Sequence, residues 1–422
     1  MRLVLWHGYL LEGTGSNIYT QHVARAWGRL GHDVVLVCQE PRPERFALGP
    51  NVRVVVPDVG PLLPVFVLDR YEGIEARHVA DMTAAELDRF VDGNARAVAG
   101  AHDGSPDLVL ANHIVMGGPV AARACAGGIP HAVKIHGSEL EYAIRGRPSL
   151  AAAAAESLAD ARALFAGSGH IVEVTEELLG SGLHDRMHVV PPGVDTDAFR
   201  PDGGDLAALV ELLRVDAATP RPGRPPERAP DPDAGDRLAG LGRFVLYFGK
   251  LMRQKGVHLL LEAWARLEPR FPDTTLVVVG FGDARPELEA AAPKRTIFTG
   301  AMDHEHLHLL VPLADAVVVP SVLPEAFGMV AAEAAAAGSP PLVARHSGLA
   351  EVAAGLEHAL PPELGSLVSF PNRDAAALHG RLAALLTLGF ADRALLRATV
   401  REVVEERWSW AGVAARLLDA AF

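Results

Sequence analysis

The chain has 422 residues, 49 % of them hydrophobic and 22 % charged, as expected of a soluble globular protein with room for two or three separately cored domains. A formal net charge of −13 argues against nucleic acid or an anionic membrane as the main partner, because both select a cationic face, yet it leaves room for a local basic pocket. Two cysteines, Cys38 and Cys125, in apolar surroundings suit buried, reduced thiols in the cytoplasm and are too few for a metal site. No run approaches membrane-span length, and the first apolar run, interrupted by His7 and Glu12 with no cleavage pattern after it, reads as a first strand and not as a signal peptide.

Residues 3–6 read as a buried strand. The loop Gly13-Thr14-Gly15-Ser16-Asn17 follows, then a helix to about residue 30 and a strand at 34–38. That order is a Rossmann-like opening. The loop has two readings, a phosphate approach or a tight turn needing positive φ at Gly13. Further strands are expected at 52–56, 108–111, 132–135 and 164–167, a helix at 84–101, and irregular chain at 57–64; the polar stretch 69–81 fits no element. His136-Gly137-Ser138-Glu139 follows the strand at 132–135. A histidine at the carboxyl end of a sheet strand stands where open α/β sheets bind ligands; a purely structural histidine is the alternative. The segment 188–201, with Pro191-Pro192-Gly193, is a turn-rich exit. Beyond it, 214–236 is rich in Pro, Arg, Asp and Gly and reads as a disordered or surface insertion, either regulatory or a tolerated loop expansion.

Residues 243–249 restart the pattern as the first strand of a second domain. The loop Gly249-Lys250-Leu251-Met252-Arg253-Gln254-Lys255-Gly256 then collects three cations between two glycines. Strands at 275–279 and 296–298 end in Gly280-Phe281-Gly282 and Thr299-Gly300-Ala301, and Asp303 is placed to cap the next helix. A strand at 316–319 enters Pro320-Ser321-Val322-Leu323-Pro324-Glu325-Ala326-Phe327-Gly328-Met329. The prolines keep this loop out of helix. An Ala-rich helix starts near Gly328 and stops at Gly338. The amides of Phe327, Gly328 and Met329 then point out of a helix N-terminus, a ready anion site. Glu325 precedes them and Glu333 follows on the helix. Carboxylates beside an anion hole suit a mixed ligand: diphosphate at the amides, sugar hydroxyls at Glu325, a ribose diol at Glu333. The plain alternative is Glu325 complementing the helix dipole and Glu333 in solvent. Trp408-Ser409-Trp410 opens the last helix as an aromatic anchor suited to packing between domains.

Glu325-Ala326-Phe327-Gly328 with Glu333 resembles the E-x7-E signature of family 4 retaining glycosyltransferases, and the likeness spans nearly the whole chain. It implies the α/β GT-B fold: two Rossmann-like domains facing across a cleft, with the C-terminal helix crossing back to the first. The expected parts are an acceptor-binding domain at 1–201, a linker with the insertion at 202–242, a nucleotide-sugar domain at 243–405 and the terminal helix at 406–422. By the same resemblance His136 serves the donor sugar near the reacting centre, Lys250 and Lys255 hold the donor diphosphate, and Gly15 and Ser16 approach it. Asn17 meets the acceptor, Phe281 and 300–303 surround the base, Phe327, Gly328 and Met329 bind phosphate, and Glu333 binds ribose. Lys250 stands where the family has arginine and lacks its bidentate fork; Arg253 is the expected substitute. His346-Ser347-Gly348-Leu349-Ala350-Glu351 resembles the family's Gly-Gly-x-x-Glu turn, with Ser347 in place of the first glycine.

The implied reaction moves a sugar from a UDP- or GDP-linked donor to a small-molecule or glycan hydroxyl, with retention. Neither a metal nor another cofactor is expected, because the cations are built in. Either the leaving phosphate takes the acceptor proton in a front-face step or a carboxylate forms a covalent intermediate. The cleft has to close against water, with hinges near Pro201 and the terminal crossover. A GT-B-related sugar-nucleotide epimerase or phosphorylase and a non-catalytic nucleotide-sugar-binding protein are the alternatives; Lys250 and Lys255 together with Glu325 and Glu333 favour transfer.

Overall fold

The computed structural model describes residues 1–11, 14–60, 62–66, 75–219 and 228–422. Its apolar runs form two parallel sheets, as runs buried on both faces must. The first unit contains β1 (Arg2–Trp6), β2 (Asp33–Val37), β3 (Val52–Val55), a small pair β4 (Leu62–Val65) and β5 (Glu75–His78), then β6 (Leu108–Asn112), β7 (His131–Lys134), β8 (Ala163–Ala166) and β9 (Met187–Val189). The seven-stranded sheet has the order β3-β2-β1-β6-β7-β8-β9. Leu3 lies opposite Val34 on one side and Leu108 on the other. The chain therefore winds outward from β1 in one direction and returns to β6 in the other. The carboxyl ends of β1 and β6 flank the crevice that such a reversal opens.

The second unit contains β10 (Arg243–Phe248), β11 (Thr274–Val279), β12 (Thr296–Phe298), β13 (Ala316–Val319), β14 (Pro341–Arg345) and β15 (Ser369–Pro371), in the order β12-β11-β10-β13-β14-β15. That is the doubly wound order of dinucleotide-binding folds, and its reversal lies between β10 and β13. Among the described residues no helix is long and apolar enough to cross a membrane.

The units are Met1–Gly193 with Trp410–Phe422, and Val194–Ser409. These limits differ from the breaks expected at 201, 242 and 405. The second unit takes in the supposed insertion. Residues Leu206–Ala218 and Ala234–Leu238 are helical, and Leu209, Val210, Leu213, Ala234 and Leu238 are buried in that unit's core. The apolar spacing 206, 209, 210, 213 is that of one helix face, masked in the sequence by flanking Pro and Asp. The middle of the insertion, 220–227, lies outside the described residues. Trp408 belongs to the core of the second unit, where it meets Phe327 edge-on at 5.4 Å, and Trp410 to that of the first, where it stacks on His22 at 5.0 Å. Trp27 Nε1 also donates to the carbonyl of Ala414 on the last helix, Trp410–Asp419.

Candidate active site

In the second unit, the loops after β10 and β13 meet at the reversal. Val322 N donates to the Gln254 carbonyl at 2.8 Å. Gly256 has φ +69°, and a Cβ there would lie 1.9 Å from the Pro320 carbonyl oxygen, so only glycine lets the loops close to this distance. The closure brings together two residues seventy positions apart: Lys255 Nζ donates to Glu325 Oε1 at 2.5 Å. Ser321 Oγ donates to the same oxygen at 2.6 Å. Oε2 has no hydrogen-bond partner among the described residues. Gly328, at φ +125°, precedes the helix Met329–Ala336, and the Phe327, Gly328 and Met329 amides make no hydrogen bond among the described residues.

Glu333 is 7 % exposed on that helix, and its Oε1 lies 3.3 Å from His304 Nε2. Burial disfavours the His304 charge, but the Glu333 bond and charge, with Asp303 and Asp195, outweigh it and raise its pKa. Lys250 is exposed, with no ion pair among the described residues. Arg253 does not restore a fork beside it; its guanidinium lies 3.7 Å from Glu287, both exposed. Phe281 carries the Arg228 guanidinium 5.7 Å above its ring. Asp303 takes the capping alternative: it begins the helix His304–Leu310, and its N–H donates to His306 Nδ1 at 3.1 Å. Gly300 is covered by Asp231 and Ala229, so the end of the insertion occupies part of the expected base-binding segment. Among the described residues Asp216, Asp303 and His306 bring ligand atoms within 4.8 Å of one another, on elements other than the loops that hold Lys255 and Glu325.

In the first unit, Gly15, Ser16 and Asn17 belong to the first turn of the helix Gly15–Arg29 rather than to a loop, because the Thr14 hydroxyl accepts from Asn17 N and caps it. Gly13, expected at positive φ, lies outside the described residues. Gly15 is exposed and Ser16 half-buried. Asn17 is turned inward, its Oδ1 2.9 Å from His7 Nε2.

His136 leaves the end of β7. Asn112, at the end of β6, donates through Nδ2 to the Trp6 carbonyl at 3.1 Å, which turns its Oδ1 towards His136 Nε2, 2.7 Å away. His136 must therefore carry its proton on Nε2. Burial, then His113, Lys134 and His7, drive its pKa well below the ordinary value. The ring is neutral at pH 7, and Nδ1 keeps a lone pair with no partner among the described residues.

Behind it lies a polar cluster. Glu139 is fully buried; Oε1 accepts from His136 N at 3.0 Å, and Oε2 lies 3.2 Å from His113 Nδ1. His113 holds φ 69°, an unusual conformation for a side-chain-bearing residue. Its ring centroid is 4.6 Å from that of His136. Burial pulls His7 down to about 3. Burial likewise pulls Lys134 down to about 7, against the Glu139 charge; its Nζ donates to the Val190 carbonyl at 2.7 Å.

Two family models match this chain: glycosyl transferase 4-like domain over residues 14–193, and glycosyl transferases group 1 over residues 237–401. The chain belongs to the group 1 glycosyltransferases. It is 29 % identical to a D-inositol 3-phosphate glycosyltransferase of Xylanimonas cellulosilytica, across 97 % of this chain and 91 % of the relative. It is 28 % identical to a glycogen synthase of Mycobacterium tuberculosis, across 96 % and 89 %. Sucrose-phosphate synthase from Thermosynechococcus elongatus superposes with a TM-score of 0.67 at 20 % identity, covering 99 % of this chain and 97 % of that one. This glycosyltransferase thus has the GT-B fold. Within the enzyme, the geometry unites Lys255 with Glu325 and leaves Lys250 and Gly15 at the surface. His7, Asn112, His113, Lys134 and Glu139 escaped the sequence reading. Their common signal is a polar residue at or within a few positions of the carboxyl end of an apolar strand.

Proposed function

We propose that this glycosyltransferase transfers a sugar with retention from a UDP- or GDP-linked donor to a small-molecule or glycan hydroxyl, in the cytoplasm, with neither a metal nor another cofactor. The Glu325 carboxylate carries the reading: one oxygen is fixed by Lys255 and Ser321, the other has no partner among the described residues, and the helix-terminal amides that begin two positions on, at Phe327, have none there either. The open oxygen suits sugar hydroxyls. Lys255 and the amides suit the negative charge that grows on a departing diphosphate, the usual target of such preorganised donors. Anabaena HepE, solved in complex with UDP-glucose, superposes with a TM-score of 0.65 at 16 % identity, covering 99 % of each chain, and lends support to a uridine donor. In the first unit, the His136 Nδ1 lone pair is free to accept a hydroxyl proton or hydrogen bond. The leaving phosphate would take the acceptor proton in a front-face step, with Glu325 orienting hydroxyls rather than attacking.

The anomeric configuration of the product, read by NMR, tests retention: an inverted product overturns the reading. Activity should survive excess EDTA, because Lys255 and the amides already supply the positive field. Loss of turnover on chelation, restored by magnesium or manganese, would show that an ion completes the site.

The two carboxylates are separable. Glu325→Gln should lower kcat roughly 10–100-fold, the loss of a charged hydrogen bond of about 1.5–3 kcal/mol, while calorimetric affinity for free UDP or GDP stays the same. Ribose contacts persist through the reaction and act as uniform binding. Glu333→Gln should therefore weaken the free nucleotide by about 1–3 kcal/mol, with a smaller change in kcat. The reverse ranking for the free nucleotide would overturn the placement of the donor.

A further inference from the structure

Ser347 holds φ 46°, a left-handed conformation that is strained for a side-chain-bearing residue and that glycine adopts freely. Strain of this kind persists where surrounding contacts over-determine it, and the contacts of Ser347 lead to Glu325. The Glu325 N–H donates to Ser347 Oγ at 2.9 Å. Ser347 Oγ lies 3.1 Å from His346 Nδ1, and His346 Nε2 lies 2.7 Å from the Ser321 carbonyl oxygen. A carbonyl only accepts, so His346 carries its proton on Nε2 and its Nδ1 accepts the Ser347 hydroxyl proton. Ser321 Oγ then donates back to Glu325 Oε1. The hydrogen bonds close a ring with one consistent direction: Glu325 amide, Ser347, His346, Ser321, Glu325 carboxylate. Gly348 N adds a bond to the Glu325 carbonyl at 3.0 Å.

We infer that His346 and Ser347 are positioning residues of the transfer reaction: they fix the backbone and carboxylate of Glu325 so that Oε2 faces the sugar. The inference rests on the role proposed above for Glu325. Neither residue belongs to the E-x7-E pair, and neither has a hydrogen bond or ion pair to Lys255 among the described residues. A ring in which each member is both donor and acceptor admits one arrangement of its protons and holds the carboxylate in one rotamer, which is the precision a reacting centre requires.

Ser347→Gly separates positioning from folding. Glycine relieves the backbone strain, so the melting temperature should stay level or rise, whereas the Glu325 amide loses its acceptor. Expected are a kcat about tenfold lower, a donor KM within twofold of wild type, and unchanged calorimetric affinity for UDP and GDP. His346→Gln, which can still reach the Ser321 carbonyl but offers no Nδ1, should lower kcat to a similar degree. The two changes together should cost little more than either alone, since one ring is broken in each case. In a Glu325→Gln background, Ser347→Gly should have no further effect on kcat. An unchanged kcat in Ser347→Gly, or a full additional loss in the Glu325→Gln background, overturns the inference. If Glu325→Gln itself leaves kcat intact, the role of Glu325 fails instead.

Discussion

Lys255→Ala should lower kcat/KM by about 10²–10³-fold, roughly 2–4 kcal/mol by analogy with the loss of one preorganised donor to a developing anion. Lys255 is half-buried, immediately before Gly256, and the close approach of Gly256 to Pro320 fixes its distance from the β13 loop. Its ammonium already touches Glu325, so its loss also releases the carboxylate expected to hold the sugar. Both effects act in the same direction and fall on the transition state. Lys250→Ala is the internal control. That side chain is exposed, can swing into solvent, and should cost less than tenfold, as a screened surface charge does. Steady-state kinetics on both variants decide the matter. An undiminished kcat/KM in Lys255→Ala would make the loop an ordinary solvated basic turn and remove it from the diphosphate site. A larger loss in Lys250→Ala would place the diphosphate on the wrong side of the loop.

The strands were legible because parallel strands covered on both faces are written as continuous apolar runs, as in Leu3 to Trp6 and Leu276 to Val279. The Glu325 to Glu333 spacing was legible for a similar reason, being local to one loop and one helix. What escaped was made by topology or hidden by composition. The contact between Lys255 and Glu325 exists only because β10 and β13 lie side by side at the sheet reversal. His7, Asn112, His113 and Glu139 come from three separate strand ends, and no local spacing relates them. In the insertion, Leu206, Leu209, Val210 and Leu213 carried a helical period, but Pro and Asp downstream dominated the reading. Asn17 showed the opposite error. A polar residue after glycine suggests an exposed loop, whereas the Thr14 cap starts the helix earlier and turns Asn17 towards His7.

Replacing Glu139 by alanine should cost the first unit about 3–5 kcal/mol, the expected penalty when one member of a buried charged network is removed and its partners stay. Its two oxygens hold His113 Nδ1 and the His136 amide, and neither group has another partner in view among the described residues. Burial by itself would raise the Glu139 pKa, but the His113 charge and bond, with the backbone amides, outweigh it and hold the pKa below the ordinary carboxyl value. A depressed carboxyl pKa contributes stability that is complete above the unfolded value and fades as pH falls through the folded one. On the Glu139 side alone, the gap between wild type and Glu139→Ala should therefore shrink as pH falls into the acid range. Lys134 limits the gap on the other side. Burial brings it down to about 7 while the Glu139 charge holds it up, so that favourable pairing disappears as pH rises above about 7 and Lys134 gives up its proton. The gap should be widest between these limits and narrow on both sides. Native-state hydrogen exchange of the β1, β6 and β7 amides reads the opening free energy of this unit directly. A gap that stays constant from acid to alkali would mean that the loss comes from packing alone, and that Glu139 is not a charged member of the cluster behind His136.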